Sequence, residues 1–120
     1  MAKVLIADDD PMILRLLDVS LSAAGHTVVT AADGREALEL IEQDTPDIVV
    51  LDGMMPELGG LEVLQSLKNT EATSSLPVVL MTARAEEDDI AKGLELGATL
   101  YMVKPFPPKE LVAAIQRLTA

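Results

Sequence analysis

A chain of 120 residues, 49% of them hydrophobic, is about one domain and long enough to bury a core of its own. A net charge of −11, nine scattered basic residues and only Tyr101 and Phe106 as aromatics argue against a nucleic-acid surface, which needs lysine and arginine on phosphates and rings under bases. No apolar run approaches the ~20 residues that span a bilayer, cysteine is absent, and the chain starts without a charged leader, so a cytoplasmic protein without membrane contact, disulfides or zinc–thiolate sites is expected.

The pattern alternates strand-like and helix-like segments. Lys3–Ala7 is a continuous apolar run, as for a strand covered on both faces. Asp10 then stands as an N-cap with Pro11 in the first helical position, where its missing N–H costs nothing. Ile13, Leu16, Leu17, Leu21 and Ala24 are predicted on one buried helix face, with Gly25 as the stop and His26 in the turn. Thr27–Ala31 follows as a second strand. Asp33 and Glu36 resemble a capping box for a helix to about Gln43, with Ala37, Leu38 and Ile41 inward.

Pro46 closes that unit before the strand Ile48–Leu51. The loop Asp52–Gly59 leads into a helix over Gly60–Lys68 with Leu61, Leu64 and Leu67 inward, and the polar stretch Asn69–Ser75 leads to the strand Val78–Met81. Glu86–Leu96 reads as a helix with an acidic first turn, suited to its dipole, and Gly97 as its stop. A fifth strand, Ala98–Val103, and a last helix, Pro108–Leu118, burying Leu111, Val112 and Ile115, complete the chain. Five strand–helix units predict an α/β fold: one doubly wound parallel sheet with helices on both faces.

Asp8-Asp9, Asp52, Thr82 and Lys104 each follow directly on an apolar strand. In open parallel sheets ligands bind outside the carboxyl ends of the strands, so these residues converge at one edge. Carboxylates held ~5 Å apart at an effective dielectric of ~20 repel by roughly 3 kcal/mol per pair. Counter-charge is therefore needed, from Lys104 and from a hard divalent cation, which favours oxygen ligands. A carboxylate, a hydroxyl and an ammonium around such a cation are equipped to accept a phosphoryl group, whose transition state spreads charge over three equatorial oxygens.

Four motifs in order make the chain resemble the receiver domain of two-component response regulators: Leu5-Ile6-Ala7-Asp8-Asp9, Asp47 through Pro56, Met81-Thr82-Ala83 and Val103-Lys104-Pro105-Phe106. The resemblance covers essentially residues 1–120 as a single receiver domain. It implies a flavodoxin-like sheet of order 2-1-3-4-5. Asp52 would accept the phosphoryl group from a histidine kinase or histidine phosphotransfer protein. Asp8, Asp9, Asp52 and the Met54 carbonyl would hold Mg²⁺, Thr82 and Lys104 would bind the phosphoryl group, and Thr82 with Tyr101 would switch the surface of the fourth helix, fifth strand and fifth helix toward a downstream protein or output domain. Relatives typically have a cis bond before the proline at Lys104-Pro105. Phosphorylation-linked dimerisation is left open. Two departures stand out: Gly59 replaces a common acidic residue before the third helix, and Gly53 follows Asp52 where relatives carry a larger apolar residue, read here as extra backbone freedom.

Plainer readings compete at several positions. Asp10 is read as a cap rather than a ligand, Thr82 also fits an N-cap, and Tyr101 fits either a partly buried strand tyrosine or a switch. Met54 and Met55 are read as packing or lining the site mouth, Phe106 as a core anchor, and Glu86-Glu87-Asp88-Asp89 as a charged helix start. Two other functions are consistent with parts of the pattern: a haloacid-dehalogenase-like phosphohydrolase using Asp8, since Asp8-Asp9-Asp10 fits Asp-x-Asp, and an unphosphorylated interaction scaffold. A late acidic pair is missing for the first, and the intact acidic set argues against the second.

Overall fold

The computed structural model describes residues 1–83 and 87–120. In chain order the elements are β1 (Lys3–Ala7), α1 (Pro11–Ala23), β2 (Thr27–Ala31), α2 (Gly34–Gln43), β3 (Ile48–Asp52), α3 (Gly60–Lys68), a 3₁₀ turn at Glu71–Thr73, β4 (Val78–Thr82), α4 (Glu87–Glu95), β5 (Leu100–Val103) and α5 (Pro108–Thr119). The strands form one parallel sheet in the order β2-β1-β3-β4-β5, the flavodoxin-like arrangement. The predicted opening of α4 at Glu86 and the side chains of its acidic first turn lie outside the described residues.

Side-chain alternation divides the core. Leu5, Val49, Leu51, Val78 and Leu80 face α2 and α3, where Ala37, Ile41, Val63, Leu64 and Leu67 cover them. Val4, Ile6, Ile48, Val50, Val79 and Met81 face α1 and α5, against Leu17, Leu21, Leu111 and Ile115. β1, β3 and β4 are thus buried on both faces, which is why they read as unbroken apolar runs rather than alternating ones.

The local signals act through hydrogen bonds. Asp10 caps α1 by accepting from the Met12 N–H at 2.9 Å. At the other end Gly25 takes φ +97, and the His26 and Gly25 N–H groups donate to the Leu21 and Ser22 carbonyls, satisfying the last turn. Gly97 ends α4 in the same way, with Ala98 donating to the Gly93 carbonyl. Asp33 accepts from the Glu36 N–H as predicted, but Glu36 reaches the Ala32 N–H rather than that of Asp33. Gly59 brings no side chain to the start of α3, and only Glu62 reaches back, at 3.3 Å.

Three sequence expectations need correction. Leu16 is 52% exposed, because Leu17 and Leu21, with partly buried Ile13 and Leu14, turn inward and leave Leu16 on the outer face with Met12 and Val19. β5 begins at Leu100 rather than Ala98, because the Ala98 N–H is taken up by the Gly93 carbonyl at the end of α4, whereas His26 lies in the turn as expected and is buried there, its Nδ1 accepting from the Ala2 N–H at 3.0 Å. β3 and β4 each run one residue further than their apolar stretch, since Asp52 and Thr82 pair through backbone groups whatever their side chains. The Lys104–Pro105 peptide bond is cis, as the resemblance implied.

Candidate functional site

Asp8 lies one residue beyond β1, Asp52 ends β3, Thr82 ends β4, and Lys104 lies one residue beyond β5. Strand register makes these ends neighbours. Asp52 pairs with Met81, Thr82 pairs with Val103, and the Lys104 N–H donates to the Thr82 carbonyl at 2.7 Å. The site is thus built by the sheet rather than by a mobile loop.

Carboxylate oxygens of Asp8, Asp9 and Asp52 all lie within 4.8 Å of one another. Asp8 is fully buried and Asp52 nearly so, while Asp9 is exposed at the rim. Lys104 Nζ donates to Asp8 Oδ2 at 2.7 Å and stands 3.4 Å from Asp52 Oδ2. The other oxygen of Asp8 accepts from the Asp10 N–H at 2.9 Å. Asp52 Oδ1 accepts from the Met54 N–H at 3.3 Å, so the backbone of Met54 lies beside the carboxylate that its carbonyl was expected to join in holding a cation.

Electrostatics follow from this packing. Burial and then the charge of Asp8 push the Asp52 carboxyl up to about 6, against the opposing pull of Lys104 and the Met54 N–H. Burial works against the Lys104 ammonium, but its hydrogen bond to Asp8 and the charges of Asp52 and Asp8 outweigh it, so Lys104 is held above the usual lysine value. Among the described residues one ammonium, paired with Asp8 and Asp52, stands beside a cluster of three carboxylates, which leaves negative charge uncompensated there. All-oxygen donors, excess negative charge and one ligand open to water fit a hard divalent cation such as Mg²⁺, which keeps several waters when bound.

The remaining candidates sort by burial. Thr82 is buried at the floor, beside Gly53. Tyr101 is partly buried on β5 with its ring against Gly93 of α4, an approach close enough that a Cβ on Gly93 would sit 3.2 Å from the ring. Phe106 packs on the α1/α5 side of the core as expected, Met55 packs on the opposite side, and Met54 is exposed at the mouth. The Thr82 N-cap reading concerns residues beyond Ala83 that lie outside the described residues. Gly53 does not use the left-handed backbone open to glycine: only Gly25 and Gly97 among the glycines take positive φ. Sequence reasoning also missed Glu57, which takes φ +68 in the loop after Asp52 and carries no side-chain signal for it.

The model of the response regulator receiver domain family matches residues 4–116. The chain is 49% identical over 114 residues to a protein named probable transcriptional regulator ycf27 from Guillardia theta, covering 95% of this chain and 44% of that one. It is 43% identical over 116 residues to the alkaline phosphatase synthesis transcriptional regulatory protein PhoP of Bacillus subtilis, covering 97% and 48%. Among solved structures, the receiver domain of the Francisella response regulator 1452 superposes with a TM-score of 0.94 at 34% identity, over 99% of this chain and 97% of that one. The chain belongs to the response regulator receiver domain family, a class of signalling domains in two-component systems. It spans somewhat under half the length of the curated relatives it matches. Among the described residues no helix is long and apolar enough to cross a membrane.

Proposed function

We propose that residues 1–120 act as one receiver domain that accepts a phosphoryl group on Asp52 from a phosphohistidine of a histidine kinase or phosphotransfer protein, in the cytoplasm. The observation that carries this reading is the pairing of Lys104 with both Asp8 and Asp52 inside a three-carboxylate cluster. Asp8 has both oxygens engaged and no water contact, which suits a ligand and a counter-charge partner rather than the nucleophile of a dehalogenase-like hydrolase. Asp52 retains a little exposure and carries a raised pKa, so at neutral pH it is mostly ionised yet more basic than an ordinary carboxylate.

An Asp52 oxygen attacks phosphorus, the bond from phosphorus to the donor nitrogen breaks, and the nitrogen leaves with the electron pair. No general base is required, because the attacking carboxylate is already ionised. Lys104 releases part of its hold on Asp52 to the incoming oxygens, and the Thr82 hydroxyl donates to them. Asp8, Asp9, Asp52 and the Met54 carbonyl would hold Mg²⁺, which when bound supplies positive charge to the phosphoryl oxygens. The same groups assist the reverse loss of the mark to water, in which water attacks phosphorus and the Asp52 carboxylate leaves. About two extra negative charges and three acceptor oxygens then draw Thr82, and Tyr101 on the neighbouring strand shifts the α4–β5–α5 surface toward a downstream partner or output domain.

The test is labelling with acetyl phosphate and Mg²⁺, read by intact mass. Wild type gains one hydroxylamine-sensitive phosphoryl group and Asp52→Asn gains none; retained labelling in the variant sinks the assignment. Tyr101 is the sole tyrosine in a chain without tryptophan, so intrinsic fluorescence reports on it alone and should change with labelling.

A further inference from the structure

Directly after Asp52 the chain has no side chain, and the structure shows what that space adjoins. An ideal Cβ on Gly53 would stand 3.3 Å from Thr82 Cβ and 3.4 Å from Thr82 Oγ1. Its next neighbour is the Met81 carbonyl at 4.0 Å, an ordinary contact. The backbone at Gly53 is not left-handed, so an alanine there meets no left-handed backbone strain. The vacancy at position 53 therefore concerns Thr82, and little else among the described residues.

Thr82 cannot retreat from a group placed there. Its strand is bonded on both sides, with the Gly53 N–H donating to the Met81 carbonyl at 2.9 Å and the Lys104 N–H donating to the Thr82 carbonyl at 2.7 Å. Threonine is also stiff about χ1, because both γ substituents sit on a branched Cβ. A methyl group at position 53 thus presses on the Thr82 Cβ, and the stiff side chain carries its hydroxyl with it by a fraction of an ångström.

We infer that Gly53 is a positioning residue for phosphoryl transfer: the missing side chain provides the clearance in which the Thr82 hydroxyl is aimed at the phosphoryl group on Asp52. This rests on the phosphoacceptor reading above. It makes the residue next to the acceptor a determinant of labelling rate through its contact with Thr82. In contrast, Gly60 provides clearance for the backbone itself, since a Cβ there would meet the Asp52 carbonyl at 2.4 Å.

A double-mutant cycle on the full chain tests it, with initial labelling rates from acetyl phosphate measured for wild type, Gly53→Ala, Thr82→Ala and the pair. Misplacing a hydrogen-bond donor by a fraction of an ångström in a transition state slows Gly53→Ala about 5-fold when Thr82 is intact. In the Thr82→Ala background the same change has an effect below about 1.5-fold, because there is no hydroxyl left to misplace. The Cβ–Cβ contact persists in that background, so a merely structural penalty would still appear and would make the two effects equal. Equal effects, or a wild-type rate in Gly53→Ala, overturn the inference. Gly53→Ala with Thr82→Ser is the second measurement: the Cβ–Cβ contact stays, so stability remains that of Gly53→Ala, but a serine hydroxyl without a second γ atom can turn back toward the phosphoryl group and restores most of the rate per folded molecule, and a rate as low as in Thr82→Ala counts against the proposal. An unlabelled wild type would instead defeat the phosphoacceptor reading.

Discussion

Two lysines at opposite ends of the sheet show how neighbours decide what a partly buried ammonium does. Lys104, beyond the carboxyl end of β5, meets two carboxylates and is held above the usual lysine value. Lys68, at the end of α3, meets carbonyls among the described residues: Nζ donates to the Leu76 carbonyl at 2.8 Å and the Ser74 carbonyl at 3.2 Å. Burial then goes unanswered by any charge, and Lys68 is lowered. Dipoles can orient a cation, but opposite charge is needed to stabilise it against desolvation. The first lysine is therefore the counter-charge of an acidic cluster, and the second fastens α3 to the chain entering β4.

The largest expected effect falls on the Lys104 side. Lys104→Ala leaves Asp8 facing Asp52 without its counter-charge and, under the proposed function, removes a donor to the phosphoryl oxygens. Labelling from acetyl phosphate should slow about 100-fold, within the range seen when one preorganised donor is lost. A change below about 3-fold in a variant with an unaltered circular dichroism spectrum would break the contrast between the two lysines.

A stability measurement sharpens it next. The Asp52 carboxyl is raised from 3.8 to about 6, so the metal-free folded protein binds this proton more tightly than the unfolded chain does. Stability contributed by this group is therefore greatest at low pH and is lost as pH rises from about 4 to about 6. Asp52→Asn removes that loss. The variant should exceed wild type in urea unfolding by about 1–3 kcal/mol at pH ~7.5 without Mg²⁺, with the gap closing toward pH ~4. Adding Mg²⁺ should narrow the gap by stabilising wild type alone. A gap independent of pH would mean that the strain at Asp52 is steric rather than electrostatic.

Much of this was legible because it is local or repetitive. Apolar runs marked β1, β3 and β4, and the residue after each run marked the site, since backbone pairing carries each strand to its edge in register. Asp10-Pro11 and Gly25 marked the ends of α1 through hydrogen bonds that span a few residues. What escaped depends on three-dimensional contact. Leu16 has the right spacing for a core position, but Leu17 and Leu21 set the inward direction. The burial of His26 needs the Ala2 N–H, 24 residues away. Glycine at position 53 looked like flexibility because the sequence does not show that Thr82 of the next strand lies against it. The partners of Lys68 are carbonyls, which every residue has, so no motif marks them.

The smallest expected effect falls on that second lysine. Lys68→Met keeps an unbranched stem over Gly97, where an ideal Cβ would lie 3.1–3.3 Å from Lys68 carbons, but removes both hydrogen bonds. Loss of those bonds costs roughly 1 kcal/mol in net terms, partly offset by relief of the desolvated ammonium. The expected change is about 1 kcal/mol of destabilisation in urea at pH ~7, the same with and without Mg²⁺, with labelling within about 2-fold of wild type. The pH signature has the opposite direction to that of Asp52. Because the folded-state value of Lys68 lies below the ordinary 10.5, the folded protein releases this proton before the unfolded chain does, and stability from this group rises as pH climbs from the lowered value toward 10.5. Lys68→Met lacks that rise, so its deficit relative to wild type should widen above neutral pH. A deficit that instead depends on Mg²⁺ would join the two ends of the sheet energetically and end their separation into an acidic cluster and a structural fastening.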